Sequence, residues 1–208
     1  SVLGRRTGNE RPRFDPYAAP DGAPKNVIPM NPGAPVSASL PPSRPVDERL
    51  GGVPQESPAH EQLREIAAAD PSFDASAFLK GAKAAYEMIV TAYAEGDRAT
   101  LRNLLSPEVY ESFSAVISER EQRGETTEFS FIGIQSADIV GAHLAGNVAH
   151  VTVRFASELV TAVRDRTGAV VEGDTKAVRQ VIDVWTFARD VTSPNPNWRL
   201  VATDSAEG

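Results

Sequence analysis

Asp183 stands in the run VIDVWTFARD, residues 181–190, two positions from Trp185 and at strand spacing from Arg179 and Arg189. A carboxylate of this kind becomes an acid–base group when a dry cavity shifts its pKa toward neutrality. Partners of the right type exist in Tyr86, Tyr93, His143 and His150. The charges around Asp183 have a simpler account. Arg179, Asp183 and Arg189 share one parity along the strand, so a solvated or salt-bridged charge row is expected, with Asp183 paired to Arg179 or Arg189.

Other reactive sets are missing from the sequence. The three histidines, at 60, 143 and 150, show no spacing that would hold zinc, and there is no cysteine. Nucleophile-elbow, phosphate-loop and dinucleotide glycine signatures do not occur. No catalytic residue, metal or cofactor is assigned, and a non-enzymatic protein is expected.

The net charge is −7. Residues 71–208 carry 13 Lys/Arg against 19 Asp/Glu, a balance of −6. Such a domain repels phosphate backbones, so nucleic acid is excluded as the main partner. Thirteen of the 16 prolines fall at or before Pro71. Residues 1–58 accordingly read as a basic start, with Arg5 and Arg6, followed by a disordered Pro-rich linker. By the positive-inside rule, the basic start reads as a juxtamembrane stretch on the cytoplasmic side of a membrane anchor.

The elements that must position the candidates begin at Ala59. AHEQLREIAAAD places Leu63 and Ile66 at helical spacing. A long helix follows, capped by Asp74 or Ser76, carrying Phe78, Ala82, Ala85, Tyr86, Ile89 and Tyr93, and stopped by Gly96. Asp97 opens a short helix, and Ser106-Pro107-Glu108 opens another that buries Val109, Tyr110, Phe113, Val116 and Ile117.

Everything after Gly124 reads as strand. The spacing predicts an α+β domain over 59–205, with helices packed on a curved antiparallel sheet of four to five strands. The expected form is cone-shaped, nuclear-transport-factor-like or cystatin-like. Val151, Val153, Phe155 and Leu159 share one face. For VIDVWTFARD, strict alternation makes Ile182, Val184 and Ala188 the helix-facing side. Trp185 and Phe187 then lie on the sheet's other face, unless a β-bulge swaps the two. A pocket or partner-binding set of Trp185, Phe187, Val181, Phe155, Tyr86 and Tyr93 follows from these residues.

The run DPSFDASAFLKGAKAAYEMIVTAYAEGDRATLRNLLSPEVYESF, with VIDVWTFARD and the closing PNWRL, resembles the family of the mitochondrial inner-membrane translocase's forty-four-kilodalton subunit. It looks more like the family's alphaproteobacterial members than like the mitochondrial ones. LGRRTGNE, residues 3–10, is similar to the segment that follows their N-terminal membrane helix. The resemblance implies a non-enzymatic adaptor that binds protein partners, a heat-shock chaperone or a membrane complex among them. It implies an apolar pocket, contact with anionic lipid, and placement on the cytoplasmic face of a bacterial inner membrane, through a helix that this chain lacks. The positions that match the family's membrane-contacting helices are Leu63 and Ile66, and Arg5 and Arg6 complete the expected membrane contact.

Overall fold

A computed structural model describes residues 44–205. Its first element, the single turn α1 (Val46–Arg49), falls inside the stretch expected to be disordered. The Arg49 guanidinium is buried and donates to the carbonyls of Ala67, Asp70 and Phe73 at 3.0–3.1 Å. Leu50 and Val53 join the core. The ordered unit therefore begins at least as early as residue 44, not at 59. Composition averaged over a proline-rich third hides three residues that anchor it. The expectations for the basic start, including Arg5 and Arg6, lie outside the described residues.

Each later helix starts where a short polar side chain accepts an otherwise orphaned amide. Ser57 caps α2 (Pro58–Ala69), Asp74 caps α3 (Ala75–Glu95), Asp97 caps α4 (Arg98–Leu104), and Ser106 caps α5 (Pro107–Gln122). Gly96 ends α3 in the left-handed region at φ 70°, as its type predicts. The apolar stripe of α3 is buried from Phe78 to Ala92. In α5, only Val109 and Ile117 are buried. Tyr110, Phe113 and Val116 stay half-exposed, against expectation, because α5 meets the sheet chiefly at β5 and leaves a groove towards α3.

Five antiparallel strands form the sheet: β1 (Thr126–Ala145), β2 (Val148–Arg164), β3 (Val170–Gly173), β4 (Arg179–Asp190) and β5 (Arg199–Ser205). Their order is β1-β2-β4-β5, with β3 pairing β2 beyond the end of β4. This is the expected α+β class. Three register shifts interrupt β1 against β2. Such bulges bend long strands, and here they let the sheet wrap α3. The corner between α4 and α5 is tied to β5 by Ser106 N donating to Leu200 O at 2.9 Å.

β4 pairs β2 in unbroken register from Arg179↔Leu159 to Asp190↔Val148. Phe187 therefore lies opposite Val151, and Trp185 opposite Val153. Both aromatics face the helices and are buried, whereas Ile182, Val184 and Ala188 are half-exposed on the other side. The assignment of faces from alternation is corrected: the aromatic face is the core, and no bulge in the β2–β4 ladder is needed to put it there. The tyrosine of α3 packs directly on it. Tyr86 stacks on Phe155 at 4.5 Å and meets Trp185 at 4.6 Å.

At the end of β3, Gly173 has φ +75°, and a Cβ there would sit 2.2 Å from the Thr161 carbonyl oxygen. Gly173→Ala should cost about 2 kcal/mol or more, from left-handed strain plus displacement of β2 backbone. Gly146→Ala, with φ +59° and no atom within 4 Å, should carry the strain alone. Urea unfolding of the two variants would separate these contributions; equal losses would argue against the clash.

Candidate functional site

The groove left by α5 holds two adjoining cavities. The first, about 220 Å³, lies between α3 and the sheet and is lined by Tyr86, Val90, Tyr93, Leu159, Val181 and Asp183, among others. Arg120, Glu172 and Arg179 also line it. The second, about 540 Å³, lies between α3, α5 and the ends of β4 and β5. Phe113, Val116, Trp185 and Ile89 supply its apolar wall. Val90, Tyr93 and Asp183 belong to both.

The two cavities bring together most of the expected pocket residues. Tyr86, Tyr93 and Val181 line the first, and Trp185 lines the second. Phe155 and Phe187 are fully buried behind them as the packing layer that fixes Tyr86 and Trp185. Leu63 and Ile66 are elsewhere. Both are 0% exposed on the inner face of α2, so the expectation that they contact a membrane is corrected for this folded state. An amphipathic stripe reads the same whether it meets lipid or the domain's own sheet, and here β1 covers it. Phe113, Val116 and Phe129 as lining residues were not foreseen. Their only signal was apolar character, which points equally to core.

Asp183 is the largest departure. It forms no ion pair with Arg189, which instead binds Asp70 at 2.9 Å between two largely buried side chains. The Asp183 carboxylate is part-buried and accepts a 2.6 Å hydrogen bond from the Tyr86 hydroxyl, which also meets Ser157 Oγ at 2.8 Å. Since Tyr86 has one proton and gives it to Asp183, Ser157 is the donor to Tyr86. Burial, then the bond to Asp183, raises the Tyr86 pKa, so the phenol stays a donor. His143 and His150 do not join this group. They stack on each other at 4.4 Å as a cross-strand pair on the opposite face of the sheet. Among the described residues, no three potential metal ligands cluster.

Burial lifts the Asp183 carboxyl above its ordinary range, opposed by the Tyr86 hydrogen bond and by Arg179. The folded state thus holds this proton more tightly than the unfolded chain does. Its contribution is fully present below the ordinary carboxylate range and is lost as pH rises through the raised folded value. Asp183→Asn removes that loss. The stability of the variant relative to the parent should therefore increase as pH rises from the ordinary carboxylate range through the raised folded value. A pH-independent difference in urea midpoint would show that Asp183 titrates normally.

Residues 59–205 match the sequence profile of the Tim44-like domain. The chain is 28% identical over 159 residues to the human mitochondrial import inner membrane translocase subunit TIM44, covering 75% of this chain and 35% of that protein. It is 24% identical over 152 residues to TIM44-1 of Arabidopsis thaliana, covering 70% and 32%. The large ribosomal subunit protein mL45 of Drosophila melanogaster is 23% identical over 194 residues, covering 90% and 49%. The chain spans about a third of the length of the two translocase subunits. No helix among the described residues is long and apolar enough to cross a membrane.

Proposed function

Because this chain belongs to the Tim44-like domain family, we propose that it is a non-catalytic adaptor that docks protein partners of a translocation or assembly machine at an inner membrane. The match across residues 59–205 carries this reading. The relatives add support, since they are subunits of two different assemblies, a translocase and a ribosome. A shared domain in such different complexes is better suited to docking than to one conserved reaction. The partner class is a heat-shock chaperone or a membrane protein complex, and the membrane is a bacterial inner membrane viewed from its cytoplasmic face. Photo-crosslinkers placed at the exposed Ile132, Val140 and Val178, in the protein within its native membrane, test it. Position-dependent crosslinks to a chaperone or translocation component are expected. Products that do not depend on the crosslinker's position would remove the adaptor reading.

A second reading has its own observation: the twin cavities between α3, α5 and the sheet, with Val90, Tyr93 and Asp183 shared. They suit an elongated apolar ligand. Lipid copurifying with the membrane-derived protein, seen by native mass spectrometry and lost on filling the groove, supports it.

A further inference from the structure

The geometry points to the second cavity as a binding site for an organic ammonium ion, a protonated amine carried on an apolar body. This rests on the reading of the groove as an apolar-ligand site and specifies the chemistry of its ligand.

Charge distribution comes first. No lysine, arginine or histidine lines the second cavity. Its acidic lining residues are Asp183 and Asp204, but Asp204 pairs in register with Val184, on the face turned away from the helices. Asp183, on the Trp185 face, is thus the one carboxylate directed inward. Arg120, Arg179 and Glu172 belong to the first cavity, where Arg120 lies over the Tyr93 ring at 5.4 Å. Burial raises the Tyr93 pKa, so this phenol is neutral at neutral pH. The remaining polar groups are the hydroxyls of Ser112, Thr203 and Ser205.

The walls are aromatic on both sides of that carboxylate. Tyr93 and Phe113 pair at 5.0 Å on the helical side, and Trp185 stands on the sheet side, backed at 4.6 Å by the buried Tyr86 of α3. Ring faces attract cations, most strongly when water is excluded. Tyr86 occupies Oδ2 of Asp183, and no hydrogen bond to Oδ1 is made by the described residues. An ammonium group at Oδ1 makes a charge-assisted hydrogen bond and replaces the hydration that burial removed. A hydroxyl there makes a neutral bond, and a carboxylate meets like charge.

Isothermal titration of the full 208-residue chain near neutral pH with phenylbutylamine, phenylbutanol and phenylbutanoate tests this. The amine should bind about tenfold tighter than the alcohol, and the carboxylate weaker than either. Asp183→Asn should bring the amine to the affinity of the alcohol. Ser112→Trp, at an exposed rim position of α5, should weaken both without touching Asp183, which guards against a folding defect in the first variant. If the alcohol binds as well as the amine, or the amine's advantage survives in Asp183→Asn, the ammonium assignment is overturned while the apolar-ligand reading stands. If none of the three binds, both fall.

Discussion

Phe187→Ala should lower the unfolding free energy by about 3–5 kcal/mol, the largest loss expected from any position in β4. Phe187 is 1% exposed and sits between Phe78 of α3, at 6.1 Å edge-on, and Trp185 in its own strand. Truncation leaves a void that neither the helix nor the strand can close, because Phe78 is also held by Trp198 at 4.9 Å. Val184→Ala, on the half-exposed face, should cost less than about 1.5 kcal/mol. Urea unfolding followed by circular dichroism compares the pair. If Val184→Ala proved the more damaging, the faces would be those of strict alternation and the cavity described above would not exist.

The second large effect concerns α1. Arg49→Ala should cost about 3 kcal/mol or more, since it removes a buried cation that donates to three carbonyls, two of which have no other donor among the described residues. The first, Ala67, lies in the last turn of α2, where a helix has no amides left to satisfy its carbonyls, and the second, Asp70, also accepts from Phe73 N at 3.1 Å. The third, Phe73, belongs to the turn that leads into α3. Arg49→Lys should recover only part of the loss, because an ammonium cannot span the three acceptors as a planar fork does. Near-neutral unfolding energies for Arg49→Ala would mean that residues 44–57 merely lie on the domain. A loss of the expected size makes them part of its folding unit.

Helix starts were legible to within two residues because capping is local. Asp74, Asp97 and Ser106 sit one position before their helices, and the amides they satisfy are three residues away. The strand after Gly124 was legible as strand, but its length was not. Three bulges carry β1 on for 20 residues against β2. The candidate site was read in part. Tyr86, Tyr93, Val181 and Trp185 do meet in one groove, but Asp183 was assigned to a charge row on the grounds of neighbours in its own strand.

That error and the reversed faces have the same origin. A strand's alternation divides its residues into two sets without saying which set is inside. In VIDVWTFARD the charged residues and the large aromatics share one set, so counting polar residues favours the wrong side. The sequence determines the two sets, the capped helices that flank them, the α+β class and the family. Tertiary structure alone decides the rest. Tyr86 reaches Asp183 across 97 residues of chain, and Asp70 draws Arg189 away across 119. Once those two long-range partners are in place, burying Trp185 and Phe187 no longer strands a charge, and the aromatic face becomes the core.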